Sequence, residues 1–95
     1  MYKYEMAVII DASLDEDSQK AEFAKVTALI ERFGGVVEKV DEWGKRRLAY
    51  EINKKAEGHY YFVTFDANST TPREVEDRLR IMENVLRSLT IRLDA

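Results

Sequence analysis

His59 is the single histidine in the sequence, and there is no cysteine. One imidazole without thiolates is a poor start for a zinc site, which takes four tetrahedral ligands. Nothing marks a nucleophile that His59 could activate as part of a Ser-His-Asp set. Without cysteine there is also no disulfide and no thiol nucleophile. Asp11, Asp15, Glu16 and Asp17 form an acidic run that could suggest calcium. The run lacks the alternating oxygen ligands, central glycine and distal glutamate of a calcium loop. Gly34-Gly35 and Gly44-Lys45 lack the glycine and lysine spacing that cradles phosphates. No carboxylate pair stands out as general acid and base. The residue types therefore point to binding of macromolecules without catalysis, with no cofactor, metal or small-molecule substrate.

Charge supports a binding role only through its distribution. The net charge is −3, from 15 basic and 18 acidic residues. Between Trp43 and Lys55, Lys45, Arg46, Arg47, Lys54 and Lys55 face Glu51 alone. Between Arg78 and Arg92, Arg78, Arg80, Arg87 and Arg92 face Glu83. Two locally basic stretches thus lie on an acidic background, and local field matters more than the sum.

These residues must be positioned by a small scaffold. The 95 residues, 45% hydrophobic and 35% charged, suit one globular domain over 1–95. No apolar run approaches the roughly 20 residues of a membrane helix, so no membrane partner and a cytoplasmic location are expected. Tyr2 to Ile10 alternates as a strand, with Tyr4, Met6, Val8 and Ile10 on one face. Ser13 and Glu16 have capping-box spacing and are expected to start a helix. Phe23, Val26, Ile30 and Phe33 are its buried stripe, and Gly34-Gly35 ends it. Val36 to Ile52 is extended with a bulge expected near Gly44. In it Leu48, Tyr50 and Ile52 read as core. Asn53 to Gly58 reads as a turn and His59 to Asp66 as the third strand. Thr71, Pro72 and Glu74 read as cap, first turn and box closure of a second helix. Val75, Leu79 and Met82 are its stripe, Asn84 its stop, and Val85 to Arg92 the last strand.

The order strand, helix, strand, strand, helix, strand predicts an α+β, ferredoxin-like βαββαβ fold: a four-stranded antiparallel sheet with two helices on one face. The other face stays open. Tyr60 and Phe62 are expected on it, beside Ile9. In the last strand the odd positions Val85, Arg87, Leu89 and Ile91 are expected outward, because Arg87 resists unpaired burial. Exposing a phenylalanine forgoes roughly 1.5–3 kcal/mol of burial, so an aromatic cluster there implies a covering partner.

An autonomous RNA-recognition module, stacking bases on this face, is the alternative reading. Tyr60, Phe62, Val63 and Phe65 match four positions of its third-strand signature. Tyr61 and Gly58 do not, and the first strand offers Ala7 and Ile9 where a second ring is needed. Acylphosphatases share the fold but hold phosphate after the first strand, where the acidic run here would repel it. A small regulatory ligand-binding domain would need a dimer and a cleft. The second strand lies at a sheet edge. Its charges of both signs, Asp41, Glu42, Lys45, Arg46 and Arg47, either discourage strand pairing or dock a matching partner.

The stretch Gly44-Lys-Arg-Arg-Leu-Ala-Tyr-Glu-Ile-Asn53 resembles the signature of the bacterial small-subunit ribosomal protein six family. Tyr4-Glu5, the Phe-Gly-Gly after the first helix, Val-Glu-Lys-Val before the signature, and Leu79-Arg80 through Asn84-Val85 to Arg87 fit as well. The resemblance spans essentially the whole chain. It departs at Glu51, where the family often has proline, and many members continue with a tail beyond the position of Ala95. The resemblance implies a scaffold without enzymatic activity in the small ribosomal subunit. Its implied partners are small-subunit ribosomal protein eighteen and, for the pair, the central domain of the small-subunit ribosomal RNA. It gives Arg46 and Arg47 as docking candidates and Trp43 as an adjacent apolar anchor. Tyr60, Phe62, Leu89 and Ile91 complete the expected partner surface. Lys3, Arg80, Arg87 and Arg92 are the candidates for RNA phosphates.

Overall fold

Strict alternation in the first strand sets the architecture. In the computed structural model, which describes residues 1–52 and 54–93, β1 (Tyr2–Asp11) buries Tyr4, Met6, Val8 and Ile10 on one side. It is followed by α1 (Glu16–Arg32), β2 (Val36–Ile52), β3 (Lys55–Ala67), α2 (Thr71–Arg80) and β4 (Val85–Arg92). The strands form one antiparallel sheet in the order β2-β3-β1-β4. This is the expected ferredoxin-like arrangement.

Register explains the core. Tyr4, Met6 and Val8 lie opposite Phe65, Val63 and Tyr61, so one face of two central strands is wholly apolar. Phe23, Val26 and Ile30 of α1 and Val75 and Leu79 of α2 cover it. Phe23 stacks on Tyr61 with ring centres 4.2 Å apart. Each such buried side chain contributes roughly 1.5–3 kcal/mol, which makes this layer the source of stability.

Local chemistry sets the helix ends, and it differs from the capping-box expectation at both starts. The cap of α1 is Asp15, whose carboxylate accepts from the Ser18 N–H at 2.7 Å. Ser13 instead donates its N–H and hydroxyl to Asp11 Oδ1, at 2.9 and 2.8 Å. An aspartate nearer the helix offers a stronger, charged acceptor for the orphan N–H groups. The helix ends as expected: Gly34 takes the left-handed φ of +90°, and the Gly35 N–H bonds Ile30 O at 2.8 Å. The cap position of α2 is Thr70, with no side-chain cap bond. Thr71 lies inside that helix and donates its hydroxyl to Phe33 O at 2.9 Å, tying α2 to the end of α1. Met82 is half-buried beyond the helix, which ends at Arg80.

The edge strand β2 is irregular at three places. The expected bulge is present: pairing shifts between Glu42 and Gly44, and Gly44 has φ +83°. Two further shifts fall between Val37 and Lys39 and between Arg47 and Ile52. The turn to β3 is shorter than expected, since β3 already begins at Lys55; Lys54 turns the chain with φ 64°. Asn53, the first residue of the expected turn, lies outside the described residues. In β4, Arg87, Leu89 and Ile91 face out as expected. Val85 does not: a register shift puts it opposite Ile10 and packs it against the core.

Candidate functional site

The open face consists of the residues that alternate with the core. Ile9, Ala7 and Glu5 of β1 lie between Tyr60, Phe62 and Thr64 of β3 and Arg87, Leu89 and Ile91 of β4. Phe62, Ala7 and Leu89 form one row across three strands. The helices leave Tyr60 and Phe62 half-buried, and Leu89 and Ile91 are 59% and 49% exposed. The bulge in β2 brings Trp43 to the same face, with its ring centre 4.6 Å from that of Phe62. Trp43 remains 55% exposed. Five of the expected partner residues, Trp43, Tyr60, Phe62, Leu89 and Ile91, thus share one surface.

The two edge arginines divide. Arg46 pairs with Gly58 and takes the open face by register; Arg47 pairs with Glu57 and takes the other. Both are exposed and form no ion pair among the described residues. Acidic groups border the apolar row: Asp41 lies opposite Phe62, Glu5 opposite Ile91, and Asp66 opposite Lys3.

The far end of the β2–β3 hairpin curls over this face, which corrects the reading of Tyr50 and Ile52 as core, whereas Leu48 is buried as expected. β1 ends opposite Gly58, so the hairpin beyond that point has no third strand beneath it. Leu48 is buried, but over the open side, beside Gly58 and Ile9. Tyr50 is 59% exposed, and its hydroxyl accepts a hydrogen bond from Arg87 Nη1. Ile52 is half-buried at the hairpin end. Tyr50 and Arg87 sit on opposite edge strands, about 14 Å apart in a flat sheet at the usual strand spacing. Their contact requires the hairpin to fold inward. Gly58 permits this, because a Cβ there would overlap Ile9 Cγ2, while Leu48 Cδ2 lies 3.4 Å away. A glycine inside a strand was the available signal for such a close approach.

The expected RNA-contact residues do not converge on one patch. Lys3 lies on the open face and pairs with Glu38 at 2.5 Å. Arg87, six positions along β1 by register, is held by Tyr50. Arg80 and Arg92 lie on the helix side, where they line a cleft between α2 and β4. Arg80 pairs with Asp77 at 3.3 Å, and the Arg92 guanidinium sits 3.8 Å from the centre of the Tyr2 ring.

The remaining polar groups are structural. His59 Nε2 lies 2.8 Å from Glu42 Oε2, and its ring stacks on Tyr61. Burial, and then the Glu42 charge, push the Tyr61 hydroxyl above its ordinary pKa. The Ser13 N–H holds the Asp11 carboxyl below its ordinary value, with help from Lys55 at 3.4 Å. Asp15 is lowered by its bonds to Ser18. The acidic run thus serves loop and helix ends. Among the described residues there is no group of three metal-ligating side chains, and no helix is long and apolar enough to cross a membrane.

Comparison with known proteins agrees with this fold. The family model described as ribosomal protein S6 matches residues 3–92. The small ribosomal subunit protein bS6 of Clostridium novyi is 48% identical over 91 residues, covering 96% of each chain. That of Clostridium kluyveri is 47% identical over 92 residues, covering 97% of each. The crystal structure of 30S ribosomal protein S6 from Thermotoga maritima superposes with a TM-score of 0.90 at 30% identity. The match covers 97% of this chain and 87% of that one. The chain belongs to the ribosomal protein S6 family, a family of small-ribosomal-subunit structural proteins and not of enzymes.

Proposed function

We propose that the protein is a structural component of the bacterial small ribosomal subunit, in the cytoplasm. In this reading it binds the central domain of the small-subunit ribosomal RNA as a heterodimer with small-subunit ribosomal protein eighteen. The observation that carries the reading is the apolar row of Trp43, Phe62 and Leu89, bordered by Asp41 and Glu5, with the exposed Arg46 farther along the same face. An apolar strip with an acidic border suits a basic protein better than a phosphate chain. A chain of net charge −3 gains little from the RNA field alone. A basic partner supplies the missing counter-charge, so the pair meets the RNA where the single chain does not.

An autonomous single-strand binder would need free rings on the sheet. Trp43 occupies one side of Phe62, and Ala7 and Ile9 offer no second ring on β1. RNA titration of the chain, with and without its protein partner and at several salt concentrations, tests both readings. The expected result is weak binding alone and tight, salt-sensitive binding by the pair. Equal affinity with and without the partner would refute the heterodimer reading.

A further inference from the structure

The two helices enclose a groove on the side of the molecule away from the open face. One wall is the α1 stripe Lys25, Leu29 and Arg32, which helical spacing puts on one face. The other is the end of α2 and the turn after it, with Arg78, Ile81 and Met82. Ile81 is 81% exposed, more than any other large apolar side chain among the described residues. Leu29 and Met82 beside it are half-buried, so the middle of the groove is apolar. Its ends differ in charge. The guanidinium groups of Arg32 and Arg78 lie 5.9 and 5.6 Å from the centre of the Phe33 ring. Neither forms an ion pair among the described residues. Lys25, by contrast, is paired with Glu22 at 3.0 Å. Asn84 O accepts from the Asp11 N–H at 2.9 Å, which places Glu83 and its turn near the start of α1, at the end away from Phe33. Two uncommitted cations thus mark one end of the groove, and Glu22 and Glu83 mark the other.

We infer that the α1–α2 groove binds a short extended protein segment with carboxylates at one end, for Arg32 and Arg78, and aliphatic side chains behind them, for Leu29, Ile81 and Met82. Guanidinium groups already held over a ring lose less freedom when they meet a carboxylate, and their planar forks match its two oxygens. From Glu22 to Arg32 the helix rises about 15 Å, the span of about five extended residues. Charge complementarity favours a peptide over a nucleic acid. A phosphate chain repeats its charge along its whole length and would meet Glu22 and Glu83. A peptide can carry its charge at one end and cover Ile81 with a leucine or valine. This goes beyond the heterodimer reading: the groove lies on the helix side, so the chain can hold such a segment while its open face is covered.

The test is a titration of the isotope-labelled full chain, followed by amide crosspeaks, with an acetylated peptide of two leucines followed by two glutamates. At up to millimolar peptide, shifts are expected at Leu29, Arg32, Arg78, Ile81 and Met82 and not along the open face. R32A and R78A are each expected to weaken binding about fivefold, as the loss of a partly exposed charged pair does. Ile81→Ser is expected to weaken it about tenfold. All three positions border solvent, so the variants should unfold at the wild-type temperature. Replacing the glutamates by glutamines should abolish the shifts, and a peptide with lysines in their place should bind the R32E/R78E variant instead. Absence of shifts in the groove would overturn the inference, as would equal binding of the glutamine peptide. A single-stranded RNA oligonucleotide that moves the same crosspeaks at lower concentration would overturn it too, and give the groove to nucleic acid. The same titration on the heterodimer should give the same affinity; a partner protein that displaces the peptide would show the groove to be part of the partner's surface and refute the inference.

Discussion

The two faces of the central strands are one residue apart in sequence and opposite in purpose. On the helix side Met6, Val8, Val63 and Phe65 are fully buried. On the open side their neighbours Ala7, Ile9, Phe62 and Thr64 are only half covered. The period of a strand makes this division absolute, since each successive side chain changes face. One face can therefore hold the fold while the other varies with the partner. The open face is not uniform either. Its Ile9 end lies under the hairpin, which Tyr50 and Arg87 pin, and its Phe62 end is bare apart from Trp43.

The sharpest way to break this comparison is to make the same change on both sides. Phe65→Ala empties a fully buried site and is expected to cost about 3–5 kcal/mol of stability. Phe62→Ala, half-buried, is expected to cost about 1–1.5 kcal/mol in the same denaturant titration. Equal losses would mean that the open face is part of the core. Trp43→Ala reverses the pattern: stability changes by less than about 1 kcal/mol, while partner affinity falls by about 2 kcal/mol, or roughly thirtyfold. Isothermal titration of the two proteins measures it.

Gly58→Ala probes the covered end. Its new methyl group would overlap Ile9 Cγ2, so a loss of about 1–3 kcal/mol is expected. Crosspeak shifts at Tyr50 and Arg87 should accompany it as the hairpin moves. No change in either would remove the close approach from the account.

The smallest effect is electrostatic. The Asp11 carboxyl is held below its ordinary pKa, chiefly by the Ser13 N–H. Folding thus favours its ionised form. That contribution is complete above the unfolded value of about 3.9 and fades as pH falls through the lower folded value. Asp11→Asn is expected to flatten the acid limb of the stability curve below about pH 4 and leave its slope at pH 7 unchanged. A variant with the wild-type acid limb would show that this carboxyl contributes nothing.

Sequence made the helix-covered face legible because it is a local pattern. The alternation in β1, the stripe through Phe23, Val26 and Ile30, and the glycine stop at Gly34 each depend on a few neighbouring residues. The bulge at Gly44 was legible for the same reason. What failed needed contacts between distant residues. Ser13 is the exception: it has the spacing of a cap, but Asp11, only two residues back, takes its donors. Thr71 has the chemistry of a cap, but Phe33 O lies within its reach. Leu48 and Tyr50 are apolar and alternate as core residues do. Only the register break after Arg47 and the missing side chain at Gly58 decide that they cross the open face. Charge marks the RNA candidates, and charge does not report which side of β4 a residue takes. Arg87 and Arg92 are five apart, so the strand period itself puts them on opposite faces. A strict parity count would have shown this.

Trp43 is the single tryptophan in the sequence, which makes the partner surface directly observable. Its emission should be followed as a tryptophan-free form of the partner protein is added, and then as RNA is added to the pair. A shift to shorter wavelength at the first step and little further change at the second is predicted. Emission that stays constant while the heterodimer forms, and moves when RNA binds, would contradict the assignment of the open face to the protein partner.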